Sequence, residues 1–336
     1  MDTITHLAIG GCLGAATSGK AQGKRALVVG AVAQVLPDID TVSVLWQDPA
    51  SSVVSHRYLT HSILFAIVAA YALAMLAHHW IFPELNVRVW VKFFFLQFCV
   101  HLLLDSFNVY GVAWAAPFSA QRISFNALFV VDPFLTLPLL IVTFLSWLNW
   151  VRHQRWAWMG VLMTSAYLSY ALVNKQLVNR VIENNLSSQS RYEYLSTPTP
   201  FNVWLWYIVV KKDDGFLIGY RSVFDDGGKI EFISLPRQDS LLLSYHSRSD
   251  VQKLIRFSNG YYAAQSKADT LVFSDLRFGQ IHGWLNPQSS FVFYYIVQPN
   301  TADNRTVMQR GRAKGWTWRA IRKMADRILS RKESDV

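Results

Sequence analysis

Four long apolar segments occupy much of the first half of the sequence and restrict the folds that it can adopt. They run roughly from His61 to Phe82, Trp90 to Val109, Ala127 to Trp150 and Trp156 to Val173. Each has about the length that a helix needs to cross the hydrocarbon core of a bilayer. Tryptophans cluster near their ends, as in the aromatic belts of membrane proteins. The sequence therefore predicts a bundle of four transmembrane helices.

Two shorter segments precede these spans, at residues 4–18 and 25–36, and both are rich in small residues. Glycine and alanine allow close helix packing inside a membrane. We predict a short N-terminal helical hairpin from this pattern. Pro37 is expected to end its second helix, because the residue before a proline is pushed away from helical geometry.

Beyond about residue 185 the pattern changes to short runs rich in aromatic residues, separated by Asp-Gly turn signals. The runs lie at residues 201–210, 216–220, 229–234, 271–273 and 291–297. Such runs between turn signals indicate β-strands, whereas residues 240–258 are ambiguous and also fit a helix. The predicted order is a membrane helical domain (1–180), a small β-rich soluble domain (185–300) and a basic tail (305–336).

The charge of the chain favours a membrane partner. Only 16% of the residues are charged and the net charge is +10, whereas soluble domains have about 25% charged residues. The basic residues concentrate in short loops and near the C-terminus, which favours anionic lipid over nucleic acid. The tail from Arg310 to Lys332 is amphipathic and suits a helix lying on lipid. Its apolar members are Trp316, Trp318, Ile321, Met324 and Ile328.

The short loops also predict an orientation. If the segments alternate across the membrane, one side receives Lys20, Lys24, Arg25, Arg88, Lys92, Arg152 and Arg155. The other side receives only Arg57 and Arg122 in its short loops. The positive-inside rule makes the first side cytoplasmic. The soluble domain is then expected on the extracytoplasmic side of the inner membrane.

Histidines and aspartates interrupt the apolar sequence at points that this parity brings to the extracytoplasmic face. His101 and Asp105 are spaced i, i+4, so they share one helical face. Ionisable residues this close to lipid are costly and tend to be functional. Imidazole and carboxylate groups are ligands for zinc, and they also suit manganese or iron. The predicted ligands of a divalent metal are His6, Asp38, Asp40, His61, His101 and Asp105.

Each cluster alone also has a purely structural explanation. His101 and Asp105 fit a hydrogen-bonded pair that stabilises the bundle, and Asp38 and Asp40 fit turn or N-cap positions. Thr60 fits the N-cap of the helix that follows. The convergence of all three clusters at one depth favours the metal site.

Three further residues fall on the side of the predicted site. Arg57 and Arg122 are candidates for pairing with a phosphate ester, although two solvated loop charges explain them equally well. Asp132 is a candidate for an additional ligand or for a residue that supports the ligands.

The order of these motifs resembles the YdjM/YbcI-type family of predicted membrane-bound metal-dependent hydrolases. The resemblance covers about residues 1–175, and the longer form with a soluble C-terminal extension resembles the YfhP-type members. It implies a divalent metal and a hydrolytic reaction. The motifs that carry it are Thr5-His6, Leu36-Pro37-Asp38-Ile39-Asp40, His56-Arg57, Thr60-His61-Ser62 and His101-xxx-Asp105.

Two hypotheses of function follow. The first is a membrane hydrolase that cleaves an ester or phosphoester of a lipid or membrane-proximal substrate, with His56 and Asp40 in catalysis and His56 as general base or further ligand. The second is a non-enzymatic scaffold, in which a structural metal or polar network fixes the bundle and the β-domain binds a partner. A metal transporter fits less well, because transport needs polar residues through the full depth of the membrane.

Overall fold

The structure, a computed structural model, describes residues 1–81, 83–148, 152–186, 192–267, 270–297, 307–308 and 316–330. The chain divides into two compact units. One unit contains Met1–Val42, Ser55–Ala171 and Pro200–Asn202, and the other contains Ser43–Val54, Leu172–Thr199 and Val203–Val336. We call them the membrane unit and the β-unit.

Helices form most of the described chain up to residue 186. They are α1 (Thr3–Gln22), α2 (Arg25–Val35), α3 (Pro49–Ser55), α4 (Ile63–Trp80), α5 (Val87–Asp105), α6 (Pro133–Leu148) and α7 (His153–Asn185). Four helical segments of the described residues are long and apolar enough to cross a membrane: Arg25–Leu45, Ile63–Trp80, Val87–Asp105 and His153–Asn185. The predicted architecture, a membrane helical bundle followed by a β-rich region, is confirmed.

The second helix of the predicted hairpin is longer than expected. A 3-10 helix, Leu36–Leu45, continues α2, so that the helical segment Arg25–Leu45 has 21 residues. Leu36 keeps helical dihedral angles (φ −59°, ψ −38°), and its N–H group donates to the Ala33 carbonyl. Pro37 lacks the N–H group that would continue the α-helix, but it lies in the first turn of the 3-10 helix, where an N–H group would have no acceptor within that helix. Pro37 therefore ends the α-helix without ending the helical segment.

The third predicted span is shorter than the sequence indicated. It begins at Pro133 instead of near Ala127, and α6 has 16 residues, which is below the roughly 20 residues of a full span. Asp132 caps the N-terminal end of α6, since its carboxylate accepts a hydrogen bond of 3.0 Å from the Phe134 N–H. Proline is also favoured at the first helical position. The predicted end at Trp150 lies outside the described residues.

The fourth predicted span is longer than expected. At 1.5 Å per residue the 33 residues of α7 extend about 50 Å, whereas the hydrocarbon core of a bilayer is about 30 Å thick. Residues up to Ala171 belong to the membrane unit, and those from Leu172 belong to the β-unit. One continuous helix therefore links the two units covalently.

Two antiparallel sheets build the β-unit. One contains β1 (Tyr194–Pro198), β2 (Leu205–Lys211), β3 (Gly215–Ser222) and β4 (Phe232–Pro236), and the other contains β5 (Tyr262–Lys267), β6 (Thr270–Gln280), β7 (Phe291–Val297) and β8 (Val307–Met308). In both sheets the spatial order of the strands follows the sequence. Tyr207, Val209, Phe216 and Ile218 alternate along β2 and β3 and pack in one core cluster with Leu276, as the two-residue period of a strand requires.

The sequence signals located most of these strands. The runs predicted near residues 201–210, 216–220, 229–234, 271–273 and 291–297 correspond to β2, β3, β4, β6 and β7 with shifted ends. β1, β5 and β8 were not predicted, because β1 and β8 are short and β5 contains only one of the β-branched and aromatic residues that mark strands. The ambiguous stretch 240–258 contains a 3-10 helix, Asp239–Tyr245, and the helix α8 (Ser249–Phe257).

The basic tail contains one described helix, α9 (Trp318–Ile328), which Thr317 caps. Met324 and Ile328, which were expected to face lipid, are buried and form a cluster with Leu205 of the β-unit. The expectation that these two side chains face lipid is therefore wrong, because other residues of the protein cover them. Residues 309–315 and 331–336 of the predicted tail lie outside the described residues.

Glycines allow α1 and α2 to pack in close contact, as the small-residue pattern predicted. A Cβ atom added at Gly14 would overlap the carbonyl oxygen of Ala26, and one added at Gly30 would overlap that of Gly10. In both cases the obstacle is backbone, which cannot rotate away as a side chain can. Only glycine fits at these crossing points.

Replacing Gly14 with leucine is therefore expected to destabilise the membrane unit by about 3 kcal/mol, at the upper end of typical overpacking costs. Thermal unfolding of the purified protein in detergent measures this effect. Ala72→Leu, which adds the same side chain at an exposed position of α4, is the matched control. Equal melting temperatures for Gly14→Leu and Ala72→Leu would contradict the packing described here.

Candidate metal centre

Four donor atoms from separate parts of the chain converge in the membrane unit. Asp38, His61, His101 and Asp105 each offer one ligand atom, and these atoms lie within 4.8 Å of one another. His61 Nε2 is 3.3 Å from Asp38 Oδ1, 3.3 Å from Asp105 Oδ2 and 3.1 Å from His101 Nε2. His101 Nε2 is 3.5 Å from Asp105 Oδ2. We call these four residues the donor cluster.

The local fold explains how each donor reaches the cluster. Asp38 lies on the 3-10 helix that continues α2. His101 and Asp105 occupy consecutive turns of one face near the end of α5, as their i, i+4 spacing predicted. His61 lies in the turn immediately before α4. Three segments that the sequence placed at one depth are thus in contact.

The turn before α4 differs from the expectation in one detail. Ser62, not Thr60, is the N-cap of α4, because its hydroxyl accepts a hydrogen bond of 3.0 Å from the Phe65 N–H. Thr60 instead donates to Asp40 Oδ2 at 2.7 Å. Thr60 therefore belongs to the surroundings of the donor cluster.

Hydrogen bonds fix the orientation of both imidazole rings. His101 Nδ1 lies 2.6 Å from the backbone carbonyl oxygen of Gln34. His61 Nδ1 lies 3.0 Å from Thr60 Oγ1 and 3.4 Å from Asp40 Oδ2. Carbonyl and carboxylate oxygens only accept hydrogen bonds, so each Nδ1 carries a hydrogen. Burial alone would lower the pKa of His61, but hydrogen bonds with Asp105, Asp38 and Asp40 raise it to about 10. A cation bound in the cluster would replace that proton and take the Nε2 lone pair of both rings, the arrangement typical of metal-binding histidines.

The spacing of the donors fits a divalent cation. Zinc binds nitrogen and oxygen ligands at about 2.0–2.2 Å, so neighbouring ligands of a tetrahedral site lie about 3.3–3.6 Å apart. Five of the six donor separations lie between 3.1 and 3.8 Å, and all six are within 4.8 Å. Asp105 Oδ2 is buried and makes no hydrogen bond within the described residues. A buried carboxylate oxygen in this situation requires a positive partner, and a cation in the cluster would provide it.

Asp40 orients two histidines and lies outside the donor cluster. Its Oδ1 accepts a hydrogen bond of 2.8 Å from His56 Nδ1. Its Oδ2 accepts hydrogen bonds from the Arg57 N–H at 3.0 Å and from the Thr60 hydroxyl at 2.7 Å, and it also lies near His61 Nδ1. Both oxygens of Asp40 therefore accept hydrogen bonds from the protein, and its predicted roles as a metal ligand and in catalysis stay predictions.

His56 is the partly accessible histidine beside the cluster, with 23% of its side chain exposed. Asp38, Asp40 and His56 also offer ligand atoms within 4.8 Å of one another, so a second and more open group adjoins the first. Burial, together with the charge of Arg57, lowers the pKa of His56 below its usual 6.5, although the hydrogen bond with Asp40 opposes this. His56 is consequently neutral near pH 7, the form that accepts a proton.

His6 lies beside the donor cluster as a neighbour of two of its members. Its ring stacks on the ring of His101, with 4.0 Å between centroids. Its Nε2 lies 3.3 Å from Asp105 Oδ1, an oxygen that also contacts the amino group of Met1. The structure therefore places His6 against the cluster, and its predicted role as a metal ligand stays a prediction.

Both arginines predicted to bind substrate make contacts within the protein. The buried Arg57 has Nη2 at 3.1 Å from Asp105 Oδ1, and its Nη1 donates to Asn108 Oδ1 at 2.7 Å. Arg122 Nη2 donates to the carbonyl oxygen of His56 at 2.8 Å. Arg57 thus offsets part of the charge of Asp105, and Arg122 holds the turn at His56. Their binding of substrate stays a prediction.

Asp132 is a capping residue away from the donor cluster. Besides accepting from the Phe134 N–H, its carboxylate accepts a hydrogen bond of 2.8 Å from the Tyr167 hydroxyl. It therefore joins the start of α6 to α7. Neither of the potential metal-binding groups among the described residues includes it.

Gln34 is a supporting residue that sequence reasoning missed. It acts on His101 through its backbone carbonyl, and every residue has such a group, so no side-chain pattern could mark it. Asn108 lies three residues beyond Asp105, in the turn after α5, where its Oδ1 accepts a hydrogen bond from Arg57.

Together, the apolar helices and the buried histidine–aspartate cluster define a multi-pass membrane protein with a candidate site for a divalent cation. The chain belongs to the YdjM inner membrane protein family, whose family model matches residues 1–178. The matched region contains the complete donor cluster as well as Asp40, His56 and His6.

Two curated proteins illustrate the relationship. The inner membrane protein YbcI of Escherichia coli (strain K12) is 33% identical over 121 residues, which cover 35% of this chain and 69% of that protein. The uncharacterized protein YfhP of Bacillus subtilis (strain 168) is 30% identical over 148 residues, which cover 40% of this chain and 43% of that protein. No solved structure matches the chain.

The capping role of Asp132 leads to a prediction that separates it from Asp105. Asp132→Ala is expected to lower stability by about 1–2 kcal/mol, because a helix cap and a hydrogen bond to Tyr167 are lost. The amount of bound metal is expected to stay unchanged. Thermal unfolding and elemental analysis of the same sample measure both quantities. Loss of metal in Asp132→Ala would place this residue among the ligands instead.

Proposed function

We propose that this protein is a membrane-bound, metal-dependent hydrolase that acts on an ester or phosphoester bond in a lipid or a membrane-proximal substrate. One observation carries the proposal: two imidazole nitrogens and two carboxylate oxygens converge at ligand spacing beside a partly exposed histidine. A cation site next to a proton acceptor is the arrangement that metal-assisted hydrolysis needs. The name of the family indicates a membrane location but does not specify a reaction.

In this proposal Asp38, His61, His101 and Asp105 hold the ion, and His6 supports them through its contacts with His101 and Asp105. Zinc suits this donor set, and manganese and iron accept the same ligands. A bound ion of this kind would supply a Lewis acid that polarises the scissile group and lowers the pKa of a water molecule.

The substrate would approach from the side of Asp38 and His56. Asp38 is 16% exposed, whereas the side chains of His61, His101 and Asp105 are completely buried. Neutral His56, held by Asp40 through Nδ1, would take up a proton at Nε2 during hydrolysis. Asp40 would act as a positioning residue, since it holds the ring of His56 and lies next to that of His61.

Apolar residues beside this entrance support a lipid substrate. Ile39 follows Asp38 in the chain and Leu59 lies two residues before His61, and both side chains are exposed. An amphiphile could place its acyl chain against them while its ester group reaches Asp38. The burial of apolar surface would favour this pose.

The scaffold hypothesis is supported by the completeness of the donor cluster. Four protein ligands fill a tetrahedral site, and closed sites of this kind are typical of structural zinc, whereas catalytic sites keep one position open. A structural metal would then fix α2, α4 and α5, and the β-unit would bind a partner. Displacement of the partly exposed Asp38 by a substrate would distinguish a catalytic centre from a structural one.

The distribution of basic residues supports an extracytoplasmic location for the site. The opposite ends of these helices, with the turns that join them, contain Lys20, Lys24 and Arg25 as well as Arg88 and Lys92. The positive-inside rule assigns these ends to the cytoplasm. The donor cluster and the β-unit would then face the other side of the inner membrane.

The metal assignment is tested by elemental analysis of the purified protein. Wild type is expected to contain a divalent metal, and His101→Ala and Asp105→Ala are expected to lose it. Asp40→Asn should weaken metal binding about 10- to 100-fold, as is typical for residues that orient a ligand. His79→Ala and Asp213→Ala, at exposed positions, are matched controls. Unchanged metal content in both His101→Ala and Asp105→Ala would refute the site.

The hydrolase and scaffold hypotheses differ in what His56→Ala does. We expect this variant to retain the metal and to lose about 100- to 10,000-fold in turnover, the usual contribution of a general base. Hydrolysis of phospholipids and generic phosphoesters is measured for metal-loaded wild type, His56→Ala and the control His79→Ala. A metal-loaded wild type that cleaves none of these substrates would favour the scaffold.

A further inference from the structure

The net positive charge of this protein is concentrated in one stretch of the chain. Residues 305–332 contain ten lysines and arginines and one aspartate, a net charge of +9, whereas the whole chain has +10. The rest of the sequence is therefore almost neutral. A localised field of one sign attracts a surface of the opposite sign.

α9, the described helix of this stretch, is docked on the β-unit through one face. Met324 and Ile328 are buried in a cluster with Leu205. Arg327 forms an ion pair with Asp225, with Nη1 at 2.7 Å and Nη2 at 3.1 Å from its carboxylate oxygens. These contacts use the inner face of α9, so its buried side chains are not available to any partner.

A different face of α9 points to solvent and is both apolar and basic. The side chains of Trp318, Ile321 and Leu329 are 79%, 41% and 50% exposed. Arg319 and Arg322 are exposed between them. The helical period brings Trp318 and Arg322 onto one side of the helix, together with the partly buried Asp326, and Leu329 directly follows the helix. We call these five residues the outer face of α9.

We propose that the outer face of α9 binds the surface of an anionic phospholipid bilayer. Tryptophan is favoured at the membrane–water interface, and arginine side chains are attracted to anionic headgroups. The combination of apolar and basic residues on one exposed face is the pattern of helices that lie in this interface. The inference does not depend on the hydrolase proposal.

We favour a bilayer over other polyanions because the membrane helices of the same chain already hold the protein at a bilayer. α7 runs without interruption from the membrane unit into the β-unit, so the outer face remains tethered near a membrane at high effective concentration. A small apolar contact that would be too weak to hold a free domain at a membrane is sufficient when the domain is tethered in this way. The β-unit would then be held at the membrane by α7 and α9 together.

The test uses the full chain in lipid nanodiscs and a nitroxide at residue 321. Ile321→Cys is labelled in a background with Cys12→Ala and Cys99→Ala, and the accessibility of the nitroxide to oxygen and to a nickel chelate is measured. In nanodiscs containing phosphatidylglycerol we expect oxygen access to rise and nickel access to fall relative to phosphatidylcholine alone. A nitroxide at Asp213→Cys, in an exposed turn, is expected to stay accessible to nickel in both.

Charge-reversal variants test whether the outer face of α9 causes the lipid-dependent change in oxygen and nickel access. Arg319→Glu with Arg322→Glu should abolish the lipid-dependent shift, and Trp318→Ser should reduce it without altering charge. Lys212→Glu with Lys229→Glu, at exposed positions of the β-unit, is the matched control and should keep it. Equal nickel access in both lipids would overturn the proposal. Equal protection in both lipids and in detergent would also overturn it, because a protein partner would then cover this face.

Discussion

The buried carboxylate of Asp105 is the interaction on which the membrane unit depends. A charge at this position is costly, because it is removed from water and must be compensated by the protein. Oδ1 contacts Arg57 and His6, and Oδ2 faces His61 and His101. These partners come from α1, from the turn before α4 and from α5 itself. Several segments of the chain therefore meet around the charge of Asp105. The same arrangement directs Oδ2 at the proposed cation site.

Bringing Arg57 to Asp105 imposes a special conformation on the backbone. Arg57 has φ of 61°, in the left-handed region that residues other than glycine rarely adopt. Its N–H donates to Asp40, and its carbonyl accepts a hydrogen bond of 3.2 Å from the Ala113 N–H. Unfavourable dihedral angles persist where the surroundings determine them, often at functional sites. The loop that carries Ala113 is therefore part of the support of the centre, although it contributes no donor to the cluster.

Features that depend on local sequence were predictable, and features that depend on distant partners were not. The pairing of His101 with Asp105 follows from helical periodicity, and helix parity was enough to bring Asp38 and His61 near them. The hydrogen bonds of Asp40 and Arg57 could not be predicted, because they depend on which donors and acceptors the folded loops present. The edge strands β1 and β5 escaped prediction for the same reason, since pairing with a neighbouring strand defines them more than their own composition does.

The three aspartates around the centre differ in how far the protein already satisfies them, and this difference separates their roles. Both oxygens of Asp40 accept hydrogen bonds, so binding a cation directly would release one of its donors. Asp105 divides its oxygens between Arg57 and the cluster. Asp38 is partly exposed, and its Oδ1 lies 3.8 Å from His101 Nε2 but 3.3 Å from His61 Nε2. A ligand that is partly exposed yields to a substrate oxygen at lower cost than a completely buried one, so exchange in the proposed centre would occur at Asp38.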